Sequence, residues 1–205
     1  MGRSAAGRDD STRAHAGRSR AQEEGLPEQR QGCQGVAPEL IDSSSFSPDV
    51  QEFLRLLDVH DVRYLIVGGE AVIFYGHARL TGDVDFFYDI DFDNIRRLYA
   101  ALDEFWAGSI PGLTCPEELA VPGLIVQFGV PPNRIDLMNR IDGVAFDEAW
   151  PARTVVSLEV GGHVVPVNYV GLDALIRNKK AAARPKDMDD LPYLTEAFRG
   201  SRHGG

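Results

Sequence analysis

The stretch that most constrains this chain runs from Tyr64 to Phe87. An apolar tetrad, Tyr64-Leu65-Ile66-Val67, stops at Gly68-Gly69, and after residues 70–82 comes Asp83-Val84-Asp85-Phe86-Phe87. Four apolar residues cut off by two glycines predict a buried strand entering a tight turn. On a strand, residues i and i+2 share a face, so Asp83 and Asp85 project together. Val84, Phe86 and Phe87 bury that strand in part, and two neighbouring carboxylates there repel unless a cation lies between them. A hard divalent ion with oxygen ligands, Mg2+ or else Mn2+, meets that need. An isolated Asp-x-Asp is commonplace at solvated strand ends. Gly68 and Gly69 give this one weight, because glycine lets the backbone approach a ligand and the N–H groups that open a helix suit phosphate oxygens.

A third acid, Asp136, lies within Arg134-Ile135-Asp136-Leu137-Met138, another strand pattern. If that strand lies beside the first, three carboxylates converge on one site. Asp142, Asp147 and Glu148 compete for the role but fall in expected loop or helix.

Around these residues the pattern alternates irregularly between strand and helix. Ser47-Pro48 signals a helix start, and Val50, Phe53, Leu54 and Leu57 follow at helical spacing. A short helix is expected over 70–75, and Asp91 caps a helix whose apolar face is Ile95, Leu98, Leu102 and Phe105. Residues 124–128 and 134–138 read as strands, and 155–160 with 163–169 as a hairpin about Gly161-Gly162. Residues 172–183 and 187–198 read as helices separated by Pro185. With no sustained βαβ alternation and no repeat, the fold class is α+β. The domain is expected over 46–205. Residues 1–45, rich in Gly, Ser, Arg, Gln and Glu with few large apolar side chains, read as a disordered tail.

Bulk properties narrow the function. A net charge of −10 argues against a general electrostatic grip on nucleic acid, although cations gather late, at Arg177, Lys179, Lys180, Arg184 and Lys186, and acids in the middle, at Asp83, Asp85, Asp89, Asp91 and Asp93. That asymmetry fits either a carboxylate cluster facing a phosphate-binding wall or two solvated faces. Cys33 and Cys115 match no disulfide or metal spacing, and no apolar run reaches the roughly 20 residues of a membrane span. The expectation is a cytoplasmic protein with no membrane partner. His77 reads as a loop residue near the site without a catalytic role.

The apolar-Gly-Gly segment, the Asp-Val-Asp pair and the later lone Asp resemble the DNA polymerase beta-like nucleotidyltransferase superfamily. The Arg79-x-Thr81-x-Asp83-x-Asp85 form is similar to the small bacterial nucleotidyltransferases related to the AbiEii toxins of type IV toxin–antitoxin systems. Leu175-Ile-Arg-Asn-Lys179, then Arg184-Pro-Lys-Asp187 leading into Asp190-Leu191, resembles their C-terminal signature. The chain is shorter than typical AbiEii toxins and has no extended helical C-terminal region.

The resemblance implies a minimal nucleotidyltransferase fold, a mixed β-sheet flanked by helices with C-terminal helices, moving an NMP from an NTP onto an acceptor. Asp83, Asp85 and Asp136 would hold metal, with Asp136 alternatively a general base. Gly68 and Gly69 would cradle phosphate, and Lys179 would neutralise its charge. Arg79 is either a further phosphate contact or a structural partner of Asp83 or Asp85. Asp187 either orients Lys179 or caps the last helix, the cap being the simpler reading. The acceptor would be tRNA, a small molecule or a protein hydroxyl, and a toxin role would bring an antitoxin partner. The competing class is a non-catalytic module of the same fold that senses nucleotide or binds a partner.

Overall fold

The computed structural model describes residues 39–131 and 133–203. The expected tail therefore lies outside the described residues up to 38, as does Cys33. Residues 39–45 depart from the expectation: Leu40–Ile41 form strand β1, followed by a 3-10 turn over Ser43–Ser45. This edge strand is too short to carry any periodicity of its own and exists because it pairs with a later strand.

Helix α1 (Pro48–Val59) starts where the Ser47 cap and the proline place it, and Ser47 Oγ accepts from Val50 N. Strand β2 (Tyr64–Val67) is buried throughout and runs directly into α2 (Gly68–Phe74). After a loop over 75–82 comes β3 (Asp83–Tyr88), then α3 (Phe92–Phe105) capped by Asp91, whose carboxylate accepts from Asp93 N and Asn94 N. A 3-10 turn over Pro116–Ala120 precedes β4 (Ile125–Phe128) and β5 (Arg134–Met138). A short α4 (Phe146–Ala149) leads to the hairpin β6 (Thr154–Val160) and β7 (His163–Tyr169). Helices α5 (Leu172–Ala182) and α6 (Pro185–His203) close the chain, with Pro185 opening α6.

The seven strands form one mixed sheet in the order β1-β6-β7-β2-β3-β5-β4. Its centre positions the site. β2 pairs antiparallel with β3, with Val67 opposite Asp85. β3 pairs parallel with β5, and that register sets Asp83 beside Arg134 and Asp85 beside Asp136. β4 joins antiparallel, placing Gln127 beside Asp136 and Ile125 beside Met138. Because side chains alternate, Asp83, Asp85, Arg134, Asp136 and Gln127 share one face, while Val84, Phe86, Ile135 and Leu137 share the other. That second face is the floor of the core. Phe86 is fully buried and meets Phe53 of α1 edge-on at 5.3 Å, and Phe53 in turn meets Phe105 of α3 at 5.4 Å. On the site's own face, Phe87 packs against Phe146 of α4 at 5.2 Å. The strand that carries the acids is thus pinned from both sides.

Candidate active site

Gly68 makes the first demand. Its φ is +66°, a left-handed conformation, and an added Cβ would overlap the Asp85 carboxylate. The turn from β2 into α2 can pass this close to Asp85 only without a side chain. Gly68→Ala is expected to cost about 2–5 kcal/mol, backbone strain and overpacking combined, as measured by the denaturation midpoint. It should also displace Asp85, so the cation affinity of the cluster should fall with stability.

Asp83, Asp85 and Asp136 come together. One carboxylate oxygen from each lies within 4.8 Å of the others. An all-carboxylate donor set of this span suits a hard divalent cation. The packing agrees: Asp136 is almost fully buried, and burial, reinforced by the charges of Asp83 and Asp136, pushes the Asp85 carboxyl up to about 6. Three acids crowded this way need positive charge.

Part of that charge comes from Arg134, which the sequence analysis passed over. Its Nε donates to Asp136 Oδ1 (2.7 Å), and Nη2 donates to Asp136 Oδ2 (2.9 Å) and to Asp83 Oδ2 (2.5 Å). Gln127 Nε2 donates to Asp136 Oδ2 at 2.9 Å, and Thr81 Oγ1 donates to Asp83 Oδ1 at 3.0 Å. Among the described residues no side chain donates a hydrogen bond to Asp85. Arg134 and Gln127 were legible in principle, since each occupies a strand position whose side chain shares the face of Asp136.

The raised Asp85 carboxyl carries a pH dependence. A cation binds the ionised form, so below about 6 a proton competes, and affinity should fall by up to about tenfold per pH unit. The metal-free fold behaves oppositely: it holds this proton more tightly than the unfolded chain does. Asp85's contribution to stability is therefore present at low pH and lost as pH rises from 3.8 to about 6. Melting with and without Mn2+ checks both signs. The Mn2+-induced rise in Tm should be large at pH 7 and largely gone at pH 5.

A second buried cluster closes the site from the C-terminal helices. Lys179 is 1% exposed, and its Nζ lies 2.7 Å from Asp187 Oδ1 and 3.0 Å from Asp190 Oδ2. Asp187 also accepts from Arg184 Nε (2.6 Å) and from Arg184 N (3.3 Å). Asp187 thus ion-pairs Lys179 and also reaches back to the backbone at the start of α6. Burial raises its carboxyl, but the hydrogen bonds from Arg184 and Lys179 outweigh that and hold it below the usual range. Arg79 does not pair with Asp83 or Asp85. It turns to Asp190, donating from Nη1 to both carboxylate oxygens at 2.9 and 2.6 Å. Loop 75–82 is further tied to α6 by His77, which stacks on Tyr193 at 3.8 Å.

Between the two clusters lies an open cavity of about 340 Å³, lined in part by Gly68, Gly69, Asp83, Asp85, Gln127 and Asp136. Six cations face it, Arg79, Arg134, Arg140, Lys179, Arg184 and Lys186, against four acids, Asp83, Asp85, Asp136 and Asp142. The cavity is thus richer in cations than in acids, although the chain carries −10 overall. Lys186 and Arg184 belong to its wall, and Lys186 helps offset the rise in the Asp85 carboxyl. Other charged residues are elsewhere: Asp89 pairs with Arg63 (2.8 Å), and Glu148 with Arg177 (3.5 Å).

A Gly-Gly turn is thus set against two aspartates on one strand, with a third aspartate on the parallel neighbour. Residues 48–195 match the family described as "Nucleotidyltransferase of unknown function (DUF6036)", and the chain belongs to it. Two crystal structures are similar at low identity. One is ANT(2")-Ia in complex with adenylyl-2"-tobramycin, 15% identical over 75% of this chain and 89% of that one, with a TM-score of 0.44. The other is an antigenic nucleotidyltransferase-like protein from Paracoccidioides brasiliensis, 18% identical over 77% and 78% of the two chains, with a TM-score of 0.43. The sequence matches no curated protein. Among the described residues no helix is long and apolar enough to cross a membrane.

Proposed function

We propose that this protein is a metal-dependent nucleotidyltransferase that transfers an NMP from an NTP to an acceptor hydroxyl. The observation that carries this reading is the meeting of Asp83, Asp85 and Asp136 beside Gly68, at the edge of a cation-rich cavity. Asp83, Asp85 and Asp136 would hold Mg2+, or Mn2+, and the ion supplies charge neutralisation to the triphosphate and acidity to the acceptor hydroxyl.

The chain's own groups do the rest. Gly68 and Gly69 let the backbone come close to the phosphates. Lys179 donates to Asp187 and ion-pairs with Asp190, and these hold its ammonium at the cavity wall, where it would face a phosphate oxygen. Lys186 and Arg184 extend that wall. The acceptor oxygen attacks the α-phosphorus, the bond from that phosphorus to the β-bridging oxygen breaks, and pyrophosphate leaves with the electron pair. The hydroxyl proton passes to a carboxylate of the cluster, Asp136 being the member on the β4–β5 side, and from there to water.

The AbiEii resemblance supports a toxin-like role, with tRNA as acceptor and an antitoxin protein as partner. A small-molecule acceptor is the alternative within the same chemistry. The non-catalytic reading draws on one observation: Arg134 and Lys179 already neutralise acids of the site from within the chain. The test is to incubate the protein with each α-³²P-labelled NTP, Mg2+ or Mn2+, and either total RNA or a panel of small hydroxyl compounds. The Asp83→Asn/Asp85→Asn double variant serves as the control. Label transferred by wild type alone supports the reading and sorts the acceptors. Absence of both transfer and metal-dependent NTP binding would leave the non-catalytic module.

A further inference from the structure

Arg134 is placed as a cation would be. It stands two residues before Asp136 on the same strand face and directly beside Asp83 across the parallel pair. Its planar fork spans the two carboxylates, with Nε and Nη2 taking both oxygens of Asp136 and Nη2 reaching Asp83. These are two of the three acids whose oxygens gather within 4.8 Å. The guanidinium is not buried for packing, since its side chain is 27% exposed and it lines the cavity. What it contributes is charge and geometry: a planar five-donor cation matched to two carboxylates that would otherwise repel.

A divalent ion on the same oxygens needs the same lone pairs, and two cations sharing them repel each other. We propose that Arg134 is the resident counter-cation of the metal-free site, and that loading a divalent ion requires its guanidinium to release Asp83. Arg134 is therefore a positioning residue with two states. It holds Asp83 and Asp136 in register before the metal arrives and swings toward the cavity when the metal takes its place. The inference rests on the nucleotidyltransferase reading for the identity of the competing ion, and its own content is the competition.

The experiment measures Mn2+ affinity of the full chain without nucleotide, by the EPR signal of free Mn2+, for wild type, Arg134→Met and Arg134→Lys. Thermal melting runs in parallel with and without Mn2+. If Arg134 competes, Arg134→Met should bind Mn2+ about tenfold more tightly while melting lower than wild type in metal-free buffer, because its acids have lost their cation. Arg134→Lys, whose single ammonium cannot span both carboxylates, should lie between, and it carries the test if Arg134→Met does not fold. Mn2+ affinity that is unchanged or weaker in both variants would overturn the competition and leave the nucleotidyltransferase reading standing. Absence of Mn2+ binding by wild type and both variants would overturn the two together. Binding by the variants alone would support the competition in its strongest form.

Discussion

Asp85→Asn is expected to lose NMP transfer by at least about a thousandfold, the loss that follows when a metal worth several kcal/mol to the transition state is removed. The fold should not suffer. Asp85 is the acid that Arg134 does not touch, its carboxyl is pushed up by burial and by the charges of Asp83 and Asp136, and it receives no hydrogen bond from a described side chain. Neutralising it removes burial of a charge and repulsions that outweigh the attraction of Lys186 and Lys179, and deletes no hydrogen bond from a described side chain. The variant should therefore melt at or above the wild-type temperature in metal-free buffer at neutral pH while Mn2+ no longer raises it. Opposite signs for stability and activity are the mark of a group kept for function at a cost to the fold. A variant that loses activity by unfolding would instead show Asp85 to be structural.

Lys179→Met should have the opposite profile. Removing the ammonium leaves Asp187 and Asp190, 0% and 2% exposed, balanced by Arg184 and Arg79, with the His77 ring 3.8 Å from Asp190. Breaking a buried ion pair from one side costs about 3–5 kcal/mol, and the lower end applies because each acid keeps one arginine. For a chain of this size that is a fall in Tm of about 6–12 °C. Transfer assayed well below the new Tm should also drop, through the lost phosphate contact. Full activity there would show that Lys179 only ties α5 to α6.

The sheet's centre and its glycines were legible because the signals are local. Two glycines after an apolar tetrad, and two acids at strand spacing, need only their own neighbourhood to be read. That Asp136 meets them is non-local, since it depends on β3 and β5 pairing in parallel with Asp85 beside Asp136. The sequence could offer a strand but not its neighbour. The partner of Arg79 was hidden for the same reason: Asp190 is 111 residues away, reached because loop 75–82 folds against α6, while Arg79 still lines the cavity. Lys179 carried a signal that was not used. Leu172, Leu175 and Ile176 set a helical stripe that continues through position 179, so the lysine falls on the buried side of α5, where a charge needs acids around it. Of the Asp89-Asp91-Asp93 run, Asp91 caps α3 as its place before the helical pattern indicated, while Asp89 pairs with Arg63, a partner no local pattern reveals. β1 had no signal at all, since two residues cannot show a period.

Anomalous scattering from Mn2+, in crystals grown with an NTP analogue whose α,β-bridging oxygen is replaced by a methylene group, locates metal and nucleotide together. Mn2+ is expected between Asp83, Asp85 and Asp136, with the triphosphate running past Gly68 and Gly69 toward Lys179 and Lys186. Analogue bound away from these acids, or seated among them with no Mn2+, would contradict the metal-dependent reading.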